Sequence, residues 1–176
     1  MQLAGHVLPG CIMRGMQFSE RLDYPAAPDA VWAMYCDPAF REQVCTATGA
    51  TSHHVDVSAD EAGGTVRVTR VLPARMSESI RKLVGDSVTV TQTETWGAAD
   101  GSGARRADVS LRVQGQPASM TGTHTLAPTD AGCSLQVTGD LKVSIPFFGG
   151  RLESELAKVV GGALRREHQV GQRYLT

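Results

Sequence analysis

The sequence lacks an excess of either charge, and this absence narrows the range of partners. Its 176 residues include 17 lysines and arginines and 18 aspartates and glutamates, for a formal net charge of −1. Domains that bind nucleic acid are usually basic, so we expect no nucleic-acid partner. No apolar run in the chain approaches the roughly 20 residues that a membrane-spanning helix needs, so we expect no integral membrane segment.

Cysteines are also few, and they are not arranged as metal ligands. Cys11, Cys36, Cys45 and Cys133 form no C-x-x-C pair, and no histidine cluster has zinc-ligand spacing. We expect no metal site, no cofactor, and reduced thiols of the kind found in cytoplasmic proteins. The sequence has no G-x-S-x-G, P-loop or H-E-x-x-H motif. An enzymatic role is therefore the less favoured interpretation.

What the chain does have is a long series of segments in which apolar and polar residues alternate. Period two is typical of half-buried strands, and turns rich in glycine and aspartate separate the segments as in an antiparallel meander. The pattern predicts strands at 17–24, 50–58, 65–72, 87–96, 105–114, 118–127 and 133–145, with a short helix or folded loop at 74–85.

Helical spacing marks three further segments. Pro28 opens a short helix that continues to Tyr35, and Asp37 and Pro38 are suited to cap and begin a second one. Over 151–174 one face carries leucine, valine and alanine and the other carries charged residues. This pattern predicts a helix of roughly 36 Å, which is long enough to cross the whole sheet.

A single domain is expected over residues 16–176, because the length of the chain is typical of one globular domain. A convincing strand begins at an internal methionine, Met16. We therefore interpret residues 1–15 as a disordered leader or an upstream start-site extension.

The predicted order is one strand, two short helices, six strands and one long helix, and two motifs accompany it. Residues 24–40 read Y-P-A-A-P-D-A-V-W-A-M-Y-C-D-P-A-F, and residues 143–153 read V-S-I-P-F-F-G-G-R-L-E. Over about residues 16–175 the chain resembles the START-like superfamily, also called the helix-grip or birch-pollen-allergen fold, and within it an uncharacterised bacterial branch. The resemblance implies an α+β fold with a curved antiparallel sheet of about seven strands and a long C-terminal helix over its concave face.

The same resemblance implies a cavity that holds a lipid, sterol or polyketide-like molecule. A physical argument agrees, because one helix cannot fill the concave face of a strongly curved sheet. The favoured function is therefore the binding or carrying of a small apolar ligand. Two alternatives stay open: an enzyme of the polyketide cyclase or aromatase type, and a protein-interaction module without a ligand. The oligomeric state is not predicted.

Six polar residues share the strand parity or helical face of the predicted core. They are Glu20, Arg70, Gln92, Glu94, His124 and Glu167. An unpaired polar group buried there is costly unless a cavity or partner satisfies it. Arg70 and Glu94 have a simpler interpretation as a cross-strand ion pair worth less than ~1 kcal/mol. The predicted ligand-binding set is Arg70, Gln92, Glu94, Trp96, His124, Leu156, Val160, Ala163 and Glu167.

Two adjacent glycines, Gly161 and Gly162, lie in the middle of the predicted long helix. A glycine in a helix costs about 1 kcal/mol relative to alanine, so a reason for the pair is expected. Either the helix packs closely against the sheet at this point, or the missing side chains leave room for a ligand.

Overall fold

A computed structural model describes residues 15–75, 77–144 and 149–176 of the protein. Met76, residues 145–148 and residues 1–14 lie outside this part, so most of the predicted leader and four residues of the 143–153 motif are not described. The domain boundary near residue 16 stays a prediction.

Seven strands form one antiparallel sheet with the spatial order β1-β7-β6-β5-β4-β3-β2. The meander from β2 to β7 follows from the short turns, and β1 pairs with β7 at its far side. The predicted fold class, a seven-stranded curved sheet with helices, is confirmed. The strands are β1 (Met16–Tyr24), β2 (Ser52–Asp60), β3 (Gly63–Pro73), β4 (Ser87–Trp96), β5 (Arg105–Val113), β6 (Ala118–Thr129) and β7 (Gly132–Val143).

Four helices accompany the sheet in the described residues: α1 (Pro28–Tyr35), α2 (Pro38–Ala47), α3 (Glu78–Val84) and α4 (Gly149–Tyr174). The side chain of Asp37 caps α2 as expected, since its Oδ1 accepts a hydrogen bond from the backbone N–H of Ala39 at 2.9 Å. Its other oxygen accepts one from the Tyr174 hydroxyl at 2.6 Å, which ties the end of α4 to the start of α2.

Aromatic side chains fill one end of the space between sheet and helices. Trp32 of α1 packs against Trp96 of β4, with ring centroids 5.3 Å apart. Tyr35 packs against Phe40 at 5.5 Å, and Phe40 packs against Tyr174 at the same distance. All but Tyr174 are buried in the main apolar cluster. Because these rings come mainly from α1 and α2, they fill only the end of the sheet that those helices cover.

The long helix α4 lies along β1 and β7 and also contacts α1 and α2. Leu152 and Val170 are buried on its inner face, as the apolar stripe predicted, and Leu164, which the stripe did not include, is buried as well. Val159 belongs to the same stripe but is 44% exposed. Towards its C-terminal end α4 packs closely on β1 and α1, because a Cβ added at Gly171 would lie 3.0 Å from both Tyr24 Cε1 and Met34 Cε.

Candidate functional site: a cavity with one polar end

A cavity of about 210 Å³ lies between the sheet and α4, beyond the aromatic end of the core. Strands β3 to β7 contribute its floor, α4 its roof, and α2 and α3 its sides. Most lining residues are valine, leucine, alanine, proline or methionine. Since a buried water needs only about 10–15 Å³, the space is much larger than a packing defect. Its polar lining residues are Thr48, Arg70, Arg75, Gln92, Gln116, His124 and Glu167.

The cavity reaches the protein surface between α3, α4 and the turn that joins β5 to β6. Val159, Arg75 and Pro117 all line the cavity and are exposed, so they mark its opening. This explains the exposure of Val159, which lies at the rim of the opening and not on the buried inner face of α4. An opening at this position gives a ligand a route past apolar side chains.

At the opposite end, the carboxylate of Glu94 is the centre of a buried hydrogen-bond network. Its Oε1 accepts from Arg41 Nη1 at 3.0 Å and from Gln92 Nε2 at 2.8 Å. Its Oε2 accepts from Arg41 Nη2 at 2.7 Å and from Trp96 Nε1 at 2.8 Å. Glu94 is 0% exposed. Four donors therefore replace the water that this carboxylate loses on burial.

Arg41 of α2 is the partner that the sequence reasoning missed. It is 2% exposed, and its Nε donates to the carbonyl oxygen of Tyr35 at 2.7 Å while its guanidinium lies 4.6 Å from the Tyr35 ring centroid. A signal was present in the sequence, because Arg41 precedes Val44 and Cys45 by three and four residues and so shares their buried helical face.

The two members of this buried pair shift each other's proton affinity. Burial acts to raise the pKa of Glu94, but Arg41, His124 and the hydrogen bonds from Arg41 and Trp96 hold it below its ordinary value. Burial likewise acts to lower the pKa of Arg41, and the carboxylates of Glu94 and Glu167 raise it above its ordinary value. Both groups are therefore charged at neutral pH. Glu167 Oε2 lies 3.9 Å from Arg41 Nη1 and joins the same cluster.

Within the described part of the chain, three buried polar atoms of cavity-lining residues have no hydrogen-bond partner. They are Arg70 Nε, His124 Nδ1 and Glu167 Oε1. Buried polar atoms in proteins nearly always have a partner, so unpaired atoms around a cavity can bond to water or to a ligand in that space. Burial, partly opposed by Glu94 and Glu167, lowers the pKa of His124, which makes its imidazole neutral at pH 7.

Seven of the predicted ligand-binding residues line the cavity. They are Arg70, Gln92, His124, Leu156, Val160, Ala163 and Glu167. Ligand binding by these residues stays a prediction. Glu94 and Trp96 share their inward orientation but lie behind the lining, where Glu94 pairs with Arg41 and Trp96 packs on Trp32. The alternative of an Arg70–Glu94 ion pair is wrong, since both residues bond to Gln92 instead.

The remaining predicted polar residue, Glu20, lies under α4 but outside the cavity. Its Oε1 accepts a hydrogen bond from Arg165 Nη1 at 3.0 Å, near the partly exposed edge of β1. Gly161 packs closely over this pair, as the first of the two glycine interpretations expected, because an added Cβ would lie 3.0 Å from Glu20 Oε1. Gly162 is different: it faces away, and nothing in the described residues lies within 4 Å of an added Cβ.

The chain belongs to a protein family of unknown function. The family model described as "Protein of unknown function (DUF2505)" matches residues 19–175. No curated protein matches the sequence. The expected START-like, or helix-grip, fold is shared by the structural neighbours described next.

Solved structures with the same fold come from several organisms. TTHA0849 from Thermus thermophilus is 17% identical, with a TM-score of 0.59 over 91% of this chain and 95% of that one. The STAR-related lipid transfer protein from Xanthomonas axonopodis is 15% identical, with a TM-score of 0.58 over 89% and 85%. Norcoclaurine synthase from Thalictrum flavum is 14% identical, with a TM-score of 0.52 over 99% and 96%. At these identities the likeness establishes the fold.

Within the described residues, no helix is both long and apolar enough to span a membrane. The same residues contain no group of three or more His, Cys, Asp or Glu side chains placed to hold a metal ion. The expected cytoplasmic location stays a prediction.

Proposed function

We propose that this protein binds a small, mainly apolar molecule in the cavity between its sheet and α4, as a carrier or sensor would. The observation that carries the proposal is a cavity of about 210 Å³ that opens to the surface and is lined mostly by apolar side chains. Transfer of apolar ligand surface into such a space gains about 25 cal/mol per Å². The lipid transfer protein from Xanthomonas axonopodis, named above, has the same fold and supports the proposal by analogy.

Filling the cavity tests the proposal directly. Ala163 of α4 lines the cavity, so Ala163→Trp should occupy the ligand's space and weaken binding of the neutral fluorescent probe phenylnaphthylamine at least tenfold. Arg166→Trp, which adds the same side chain at an exposed position of the same helix, is the matched control. Fluorescence titration measures both affinities, and circular dichroism confirms that both variants fold.

Two outcomes would contradict the proposal. The first is a wild-type protein that binds no phenylnaphthylamine and, purified from its own host, carries no small molecule in native mass spectrometry. The second is an Ala163→Trp variant with wild-type affinity, which would place the binding surface elsewhere. Equal losses in Ala163→Trp and Arg166→Trp would also remove the support for this cavity.

A second candidate function is a proton-transfer enzyme of the cyclase or aromatase type, favoured by one observation. His124 is neutral at pH 7, lines the cavity, and its Nδ1 has no partner among the described residues. A neutral imidazole in that position is suited to take a proton from a carbon next to a ligand carbonyl, leaving an enolate that is reprotonated at the same carbon.

Hydrogen–deuterium exchange tests this candidate with a simple probe. In D2O, wild-type protein should accelerate deuterium incorporation next to the carbonyl of methyl octyl ketone, followed by mass spectrometry. His124→Gln should abolish the acceleration while keeping phenylnaphthylamine affinity. Absence of any acceleration by the wild-type protein would leave binding as the better-supported function.

A further inference from the structure

Arg70 is a buried cation that no carboxylate of the described residues neutralises by an ion pair. It lies on β3, is 8% exposed, and its Nη2 donates to Gln92 Oε1 at 3.0 Å. Its Nε has no partner in the described part of the chain, and the residue lines the cavity. A neutral amide oxygen is a weak counterpart for a buried guanidinium, because charges buried in proteins are usually paired.

The two nearby carboxylates already have a different cationic partner. Glu94 receives both terminal nitrogens of Arg41, and Glu167 Oε2 lies 3.9 Å from the same guanidinium. His124 adds no charge at neutral pH. Arg70 thus lines the cavity with no carboxylate partner in the described residues and with a buried Nε that makes no hydrogen bond there.

We propose that Arg70 binds the carboxylate of the ligand, so that the cavity takes an apolar monocarboxylic acid. This inference rests on the proposed function and specifies its ligand class. The planar guanidinium matches a carboxylate in geometry and makes stronger hydrogen bonds to an anion than to a neutral oxygen. Of the two arginines that line the cavity only Arg70 is buried, and its one positive charge matches a carboxylate better than a doubly charged phosphate.

The distribution of the buried polar side chains agrees with a ligand whose charged group lies at the inner end of the cavity. Arg70 and Gln92 belong to the polar end, whereas Leu152, Val159 and Val143 line the stretch toward the opening. A carboxylate seated on Arg70 would leave its hydrocarbon part against these apolar residues.

A matched pair of probes separates the contribution of the ligand's negative charge from that of its hydrocarbon chain. Isothermal titration calorimetry compares decanoate with decanol at neutral pH on wild type, Arg70→Met and Arg67→Met. Arg67 is the control, because it lies on the same strand but on the exposed outer face. We expect the wild type to bind decanoate at least tenfold more tightly than decanol, Arg70→Met to lose that preference, and Arg67→Met to keep it.

The inference is overturned if the wild type binds both probes equally, or if Arg70→Met still prefers decanoate. Its failure is distinguishable from failure of the proposed function. Binding of phenylnaphthylamine without a preference for decanoate contradicts only the carboxylate subsite, whereas no binding of any probe contradicts both proposals.

Should Arg70→Met not fold, decanoate labelled with carbon-13 at the carboxyl answers the question on wild-type protein. Its bound signal should stay in the ionised position to lower pH than the free acid, and an unshifted titration contradicts the inference.

Discussion

Replacing Glu94 with glutamine removes one charge from the most buried ion pair of the described residues while keeping the side chain's shape. In Glu94→Gln an amide nitrogen takes the place of one carboxylate oxygen, and each of those oxygens accepts two hydrogen bonds. Two donors therefore lose their acceptor in either orientation of the amide. Glu167, 3.9 Å away, is then the nearest carboxylate contact left to Arg41 in the described chain.

The magnitude follows from what is known of broken buried pairs. Removing one partner costs about 3–5 kcal/mol, because the remaining charge stays buried without compensation. For a domain of this size that loss lowers the melting temperature by roughly 6–20 °C. Urea denaturation at neutral pH measures the free energy of unfolding directly. Glu42→Gln, an exposed change in the same helix as Arg41, is the control and should alter stability by less than about 0.5 kcal/mol.

The pH dependence supplies an independent check with a definite sign. The pKa of Glu94 is lower in the folded than in the unfolded protein, so its stabilising contribution is complete above the ordinary carboxyl pKa and is lost as the pH falls through the lowered value. The deficit of Glu94→Gln should therefore shrink in acid. In a double-mutant cycle with Arg41→Met, the combined loss should be about 2 kcal/mol smaller than the sum of the single losses. A Glu94→Gln loss below about 1 kcal/mol, or strict additivity, would refute the reasoning.

Two glycines of α4 provide the remaining predictions, with opposite signs for the same substitution. Gly162→Ala should raise the free energy of unfolding by about 0.5–1 kcal/mol and leave phenylnaphthylamine binding unchanged, because the added methyl meets open space. Gly171→Ala should lower stability despite the same gain in helix propensity, since its Cβ would lie 3.0 Å from both Met34 Cε and Tyr24 Cε1. Thermal unfolding of both variants measures the two shifts, and shifts of the same sign would contradict the contacts described for this helix.

Strand periodicity predicted much of this fold because the strands that line the cavity keep their alternation without a slip. Arg70, Gln92 and His124 therefore lie on the predicted inner face, although they belong to three different strands. The order of elements and the two motifs also predicted the helix-grip fold. These features depend on local sequence, where period and turn chemistry suffice.

The position of the cavity along the sheet could not be predicted from the sequence. Parity places Glu94, Trp96 and Gln92 on one face, but it does not say which of them the aromatic rings of α1 and α2 cover. The ion pair between Arg41 and Glu94 joins residues 53 positions apart, and no local pattern specifies such a partner. The exposure of Val159 at the rim could not be predicted from local sequence either, because it depends on how α4 lies over the opening.

The buried pair has a consequence for the cavity that its energy alone does not explain. Apolar residues of similar volume often stabilise a fold as well as a buried ion pair does, so stability is a weak reason for Arg41 and Glu94. Their geometry does something further: because Glu94 Oε1 accepts from Gln92 Nε2, the amide oxygen of Gln92 must point the other way, towards Arg70. Arg41 thereby fixes Glu94, Glu94 orients Gln92, and Gln92 holds Arg70 through Nη2 while its Nε stays open. The ion pair thereby positions Arg70, the cation that we propose binds the ligand.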